Sequence, residues 1–243
     1  MIQDGIRQTS DEIRSFLLIG QSNMAGRGDI GDVAPIDNPM CLMLRMGRWQ
    51  RMSEPINPDR AIFEGRFRSG VNLGASFADS VASYTGGRVG LIPCADGGTR
   101  ISLWMPGEPL YDHAVMMARL AMRTSRLSGI LWHQGESDCH TDLELTEHRA
   151  KFKEMISRLR EDLGAQELPL LIGELSEKID PSWNVGDRPA AMNRQYRELA
   201  RELPHTAIVP SQGLALKEDG VHFSAASLRE FGVRYFDAWR TLL

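Results

Sequence analysis

Phe16-Leu17-Leu18-Ile19-Gly20-Gln21-Ser22-Asn23-Met24 is the stretch on which the reading of the chain turns. Four bulky apolar residues closed by a glycine predict a buried strand that stops abruptly, and a hydroxyl just beyond such an end projects above the sheet. Ser22 is therefore a candidate nucleophile. Serines at strand ends more commonly cap a helix or satisfy a turn, so a catalytic reading has to draw on other parts of the chain.

Working outward, further short apolar runs occur at 41–44, 88–93, 129–132, 170–173 and 207–209. Amphipathic segments separate them and predict helices over 73–84, 110–127, 144–163, 188–202 and 225–242, the last behind the capping candidate Ser224. Met116, Met117, Leu120 and Met122 crowd the second of these, which reads as a buried helix and not as a methionine metal site. Strands alternating with helices predict a parallel sheet with crossover connections, hence a doubly wound α/β fold with its site at the C-terminal edge of the sheet. No repeat, low-complexity stretch or shift of composition divides the chain, so residues 1–243 read as one domain. Residues 26–70 are rich in Gly, Pro, Asp and Arg and read either as a lid or as a plain surface wrap.

The composition excludes several function classes. The 28 basic and 32 acidic side chains give a net charge of -4 with no basic block, which argues against a nucleic-acid partner. No run approaches the roughly 18 apolar residues of a membrane helix, so no membrane partner is expected. Cys41, Cys94 and Cys139 are odd in number and widely spaced, with no CxxC pair. That suits a reducing compartment and argues against both a disulfide framework and a cysteine zinc site. Residues 1–15 carry Asp4, Asp11 and Glu12 and no signal-like apolar core, so the expected location is cytoplasmic, or secreted had a leader been removed.

Four segments fall where the C-terminal edge of the sheet is expected. The turn at 20–24 is the first. The second, Asp96-Gly97-Gly98-Thr99, follows the 88–93 strand. Paired glycines let main-chain N–H groups approach a ligand as an oxyanion hole requires, although such a pair often makes only a turn. The third, Trp132-His133-Gln134-Gly135-Glu136-Ser137-Asp138, ends a strand in polar side chains that a core would not accept unpaired. Gln134 carries an amide donor useful to a developing oxyanion, and Glu136 can orient a histidine. His133, Asp138 and His140 raise a metal reading, but the run lacks the helical geometry of HExxH and no other ligand cluster supports it, so neither metal nor cofactor is expected. The fourth, Asp219-Gly220-Val221-His222, precedes the last helix. Histidine suits general-base work near neutral pH, and a carboxylate three residues upstream reaches its Nδ1 across a turn that Gly220 permits. His113, His148 and His205 sit in or beside helices and have capping or surface readings.

A candidate nucleophile, N–H donors and an Asp/His pair meet the requirements of acyl transfer through a serine triad. The order Ser, Asp, His is that of the α/β-hydrolases, yet their elbow is GxSxG and position 24 here is Met. The nucleophile turn is of another kind.

Taken together, the blocks GQSNMAGRG (20–28), DGGTRISLW (96–104), LWHQGESD (131–138) and DGVHFS (219–224) resemble the sialate O-acetylesterase and acetylxylan esterase branch of the SGNH hydrolases, carbohydrate esterase family 6. They run in family order and spacing over almost the whole chain. The resemblance implies a flavodoxin-like three-layer α/β/α sandwich with a five-stranded parallel sheet, and metal-free removal of acetyl groups from sugars. It makes Ser22 the nucleophile, His222 the general base, and Asp219 the acidic partner, with Glu136 as the alternative for that role. It builds the oxyanion hole from the N–H of Ser22 and of Gly98, or Gly97, with the Gln134 side chain. Gln134 stands where the wider superfamily has Asn. The absence of a signal-like segment favours a small acetylated sugar or oligosaccharide over polymeric xylan. A lipase or thioesterase, or a binding module that has lost turnover, are the rival readings. Against an apolar acyl groove stand Arg45, Arg48, Arg51, Arg60, Arg66 and Arg68 of the long loop.

Overall fold

The computed structural model describes residues 12–58 and 68–243. Asp4 and Asp11, and Arg60 and Arg66 of the long loop, lie outside the described residues. In chain order the main elements are β1 (Ile13–Gly20), α1 (Ser22–Ala25), β2 (Cys41–Arg45), β3 (Arg48–Arg51), α2 (Leu73–Thr85), β4 (Arg88–Pro93), α3 (Pro109–Met122), β5 (Ser125–His133), α4 (Asp142–Asp162), β6 (Leu170–Gly173), α5 (Arg188–Glu202), β7 (Thr206–Val209) and α6 (Ala225–Arg240).

All eight residues of β1 are buried, because the strand lies at the centre of the sheet order β3-β2-β4-β1-β5-β6-β7. Alternating side chains divide its apolar run between two cores. Phe16 and Leu18 pack under α2 and α6, whereas Leu17 and Ile19 pack under α3, α4 and α5. The result is a three-layer α/β/α sandwich. The Phe16 ring meets Phe77 of α2 and Trp239 of α6 edge-on, at 4.7 and 5.5 Å between centroids; truncating such a fully buried ring costs about 3–5 kcal/mol.

The sheet has seven strands where five were implied. Six run parallel, and β3 adds an antiparallel edge paired only to β2. Its sequence, RWQR, is largely exposed and has no apolar run to betray it. The helix expected over 110–127 ends at Met122, and β5 begins at Ser125. The start of β5 is polar and partly exposed, with Ser125 Oγ donating to Ser15 Oγ of β1 at 2.8 Å, so hydrogen bonding rather than apolar burial sets that boundary. α2, α4, α5 and α6 lie within two residues of expectation, and Ser224 caps α6 by accepting from Ser227 N. The three cysteines are free and buried. Among the described residues, no helix is long and apolar enough to cross a membrane.

Beyond the strand ends, main-chain bonds keep three loops in register. Asp96 N donates to Gly20 O at 2.9 Å, and Gln21 N donates to His133 O at 2.8 Å. Gly20 makes the second contact possible. At φ +133° it occupies backbone space that side chains avoid, and a Cβ there would stand 2.1 Å from His133 O. The chain ends after β1, β4 and β5 thus meet at one edge.

Candidate active site

Ser22 opens the single turn α1 and is buried, with its residue exposure at 7%. The turn is held from two sides. Gln21 Oε1 accepts from the N–H groups of Gly135 and Ser137, both at 3.4 Å, and the Asn72 side chain donates to Met24 O. Met24 itself is fully buried in the α2/α6 core, which is what replaces the second glycine of an elbow.

Opposite stands the loop before α6. Asp219 Oδ1 accepts from Val221 N at 3.0 Å and His222 N at 2.9 Å, and its Oδ2 lies 2.8 Å from His222 Nδ1. Burial alone would raise the Asp219 pKa, but the hydrogen bonds from the His222 N–H, the imidazole and Val221 N–H outweigh it and hold the carboxyl below its ordinary value. With Nδ1 engaged by Asp219, the imidazole presents Nε2 to the cavity it shares with Ser22.

That cavity has a volume of about 310 Å³ and is lined by Ser22, His222, Gly97, Gly98 and Arg27, with an apolar wall of Ile179, Trp183, Val185 and Val221. At Gly97 the main chain comes close to the Arg27 side chain and to Ser22. A Cβ there would sit 2.4 Å from Arg27 Nη2 and 3.5 Å from the Ser22 Cβ. Thr99 pins this turn, its hydroxyl donating to Asp96 O at 2.6 Å and accepting from Trp104 Nε1 at 3.1 Å. Among the described residues, no protein acceptor pairs with the N–H of Ser22, Gly97 or Gly98.

Two expected roles do not fit the geometry. Gln134 is fully buried and does not line the cavity. Its Nε2 already donates to Thr99 O at 3.0 Å and to Asp138 Oδ2 at 2.5 Å, while its Oε1 accepts from His148 Nε2 at 3.0 Å. Both amide hydrogens are spent, so the side chain braces the cavity from behind instead of donating into it. Glu136 lines the cavity but does not pair with His222, whose Nδ1 is taken by Asp219; its Oε1 accepts from Asn23 Nδ2 at 2.8 Å.

Two residues of the metal reading are tied into the surrounding structure. His133 donates from Nε2 to Glu174 O at 3.2 Å and Asp138 accepts from Ile101 N at 2.9 Å, each engaged in its own bonds. Burial raises the Asp138 pKa against the opposing hydrogen bonds, and burial lowers that of His133. Among the described residues, no group of three or more His, Cys, Asp or Glu side chains is placed to hold a metal ion.

Of the loop arginines weighed against an acyl groove, the described ones, Arg45, Arg48, Arg51 and Arg68, do not line the cavity. Arg45 donates to Pro55 O at 2.6 Å and Arg51 pairs with Asp37 at 2.5 Å. Arg68 lines a neighbouring depression together with Lys217, Asp219 and His222. Sequence reading missed Asn23, Arg27 and Trp183. Arg27 carried a signal, lying seven residues into the GQSNMAGRG block, whereas Trp183 is an isolated loop residue with none.

A family model described as "Carbohydrate esterase, sialic acid-specific acetylesterase" matches residues 12–241. A probable carbohydrate esterase of Arabidopsis thaliana is 28% identical over 243 residues, covering 92% of this chain and 89% of the relative. The X-ray structure of that Arabidopsis protein superposes with a TM-score of 0.82 at 27% identity, covering 96% of this chain and 99% of the other. The fold is also that of NanS, with a TM-score of 0.74 at 17% identity and coverage of 97% and 98%. A carbohydrate acetylesterase from Xanthomonas citri gives a TM-score of 0.68 at 22% identity, covering 94% of this chain and 56% of the other.

Proposed function

The chain belongs to the carbohydrate esterase family of sialic acid-specific acetylesterases, and on that premise we propose that it removes O-acetyl groups from small sugars through an acetyl-enzyme on Ser22. The observation that carries the reading is the Asp219–His222 pair, 2.8 Å apart, facing Ser22 across one cavity at the end of the central strand.

His222 Nε2 takes the proton of Ser22 Oγ as the oxygen attacks the acetyl carbonyl. The negative oxygen of the tetrahedral intermediate is met by the main-chain N–H of Ser22 and of Gly98 or Gly97, donors whose individual loss costs about 100-fold or more in related chemistry. His222 then returns the proton to the departing sugar oxygen. In the second half a water loses its proton to His222 and attacks the acetyl-enzyme, releasing acetate and restoring Ser22. Asp219 stabilises the imidazolium in both halves without itself becoming protonated.

At about 310 Å³ the cavity lies at the small end of ligand pockets, which suits an acetyl group with one sugar ring. The apolar wall of Ile179, Trp183, Val185 and Val221 favours a second reading, an esterase for longer acyl chains. A panel of O-acetylsialic acids, acetylated xylo-oligosaccharides and 4-nitrophenyl esters of increasing chain length separates the two, because an acetyl-sugar enzyme loses rate as the acyl chain grows. Ser22→Ala should fold and be inactive on 4-nitrophenyl acetate; turnover in that variant would remove the serine mechanism.

A further inference from the structure

Asn23 follows the nucleophile directly and is buried, with 1% exposure. Its carboxamide reaches three residues in two separate parts of the chain. Oδ1 accepts from Phe223 N at 3.0 Å, while Nδ2 donates to Val221 O at 3.3 Å and to Glu136 Oε1 at 2.8 Å. Val221 and Phe223 are the residues on either side of His222. One side chain, anchored beside Ser22, therefore grips the main chain both before and after the general base.

The partners fix which way the amide points. A flip would set its N–H2 against the Phe223 N–H and its oxygen against Val221 O and the Glu136 carboxylate. Glu136 is buried at 6% exposure, and among the described residues its Oε2 has no hydrogen-bond partner, so the hydrogen bond to its carboxylate is the one from Asn23, with His133 Nδ1 3.8 Å from the same oxygen.

Other side-chain and main-chain ties of the 217–223 loop run elsewhere, among them Lys217 Nζ to Asp29 Oδ1 at 3.0 Å. Asp180 N donates to Gly220 O at 2.8 Å, Trp183 Nε1 to Asp219 O at 2.8 Å, and Lys217 Nζ to Arg27 O at 2.9 Å. Asp219 sets the rotation of the imidazole but sits in the same loop and moves with it. None of these fixes the loop against the residue next to the nucleophile. Asn23 does.

We infer that Asn23 is a positioning residue that sets the spacing between Ser22 and His222, and that Glu136 orients it. This rests on the serine-esterase reading above. A displacement on the order of 1 Å between reacting groups is worth about 100-fold in rate. Asn23→Ala should therefore lower kcat on 4-nitrophenyl acetate by about 10- to 100-fold with KM changed less than about threefold, and slow fluorophosphonate labelling of Ser22 in the same ratio.

An exchange of partners makes the test specific. Asn23→Asp sets one carboxylate against another and should lose at least as much. In the double variant Asn23→Asp/Glu136→Gln the introduced amide donates to the introduced carboxylate, whose other oxygen still accepts from Phe223 N; the bond to Val221 O is not restored, so kcat should recover only in part, by about tenfold over Asn23→Asp alone. Rates are normalised to titrated active sites and taken well below each melting temperature. A purely structural role predicts that the exchange restores the melting temperature without restoring kcat, and that result overturns the inference, as does an Asn23→Ala protein within twofold of the parent. Should Asn23→Ala fail to fold, the two Asp variants decide. Turnover by Ser22→Ala would remove the esterase reading itself, whereas an inactive Ser22→Ala with a fully active Asn23→Ala would remove only this inference.

Discussion

Asp219→Asn is the substitution whose effect the geometry dictates atom by atom. Asp219 Oδ1 accepts two main-chain N–H groups, from Val221 and His222, and only an oxygen can hold that place. The new amide nitrogen must then occupy the Oδ2 position, 2.8 Å from His222 Nδ1. An N–H2 facing Nδ1 requires a lone pair there, so the ring carries its proton on Nε2 and can no longer accept one from Ser22. In a buried triad the same inversion of tautomer costs about 10⁴ in kcat. The Asp219 side chain is 38% exposed, so water competes for these positions. We expect a loss of about 10³ at pH 7.5, or about 4 kcal/mol of barrier. Glu136→Gln keeps the oxygen that accepts from Asn23 Nδ2 and should lose less than about fivefold, the scale of one altered neutral hydrogen bond. Initial rates on 4-nitrophenyl acetate, corrected for titrated active sites, compare the two. If Asp219→Asn kept more than a tenth of the parent rate, or if Glu136→Gln lost more than Asp219→Asn, the assignment of the acidic partner would be refuted.

Two further outcomes follow from the residues around the site. Burial, with the charge of Lys151 adding to it, pulls the His148 pKa down from 6.5 to about 3. Between those values the unfolded chain binds a proton that the folded chain refuses, so stability is complete above the unfolded pKa and falls as the pH drops through the window. From pH 6.5 to 4.5 the parent should lose about 2 kcal/mol that His148→Gln does not lose; denaturation curves with the same pH slope in both proteins would contradict this. Trp183 stands at the cavity rim, 40% exposed, with its indole N–H held by Asp219 O at 2.8 Å. Trp183→Ala should raise KM for an acetylated oligosaccharide by about tenfold, the loss of about 1.4 kcal/mol of ring contact, while Trp183→Phe loses less; an unchanged KM would show that the indole serves only to hold the loop.

The central strand was legible because burial on both faces leaves a continuous apolar run, and 16–19 has one. β3 was not, since a four-residue edge strand with only Trp49 packed against the core leaves no apolar run. At the site, the placement of Ser22, Asp219 and His222 around one cavity was legible for a related reason. Each stands in a local signature, a strand end or a three-residue turn, whose chemistry does not depend on distant partners. The surroundings of Gln134 and Glu136 were not legible, because they do depend on such partners. Successive residues at the end of β5 point to opposite sides, and the chain alone does not say on which side the cavity opens. Glu136 meets Asn23, a residue remote in sequence, and nothing local to either announces the bond.

The polar end of β5 then has a physical rationale of its own. Buried amide, carboxyl and imidazole groups are costly unless paired, and the pairs here run between elements that carry the site. Gln134 joins the 96–99 turn through Thr99 O and α4 through His148; Asp138 joins the chain after that turn through Ile101 N; Tyr196 of α5 donates to Gln134 O at 2.7 Å. Apolar packing is tolerant of small shifts, since any contact of the right volume serves, whereas hydrogen bonds fix direction as well as distance. A shell made of apolar residues would bury the same groups at lower desolvation cost but leave the 96–99 turn free to slide relative to Ser22. The polar shell is thus better explained by registration of the 96–99 turn, which carries the proposed oxyanion donors, than by stability, and the depressed pKa of His148 marks what that registration costs the fold in acid.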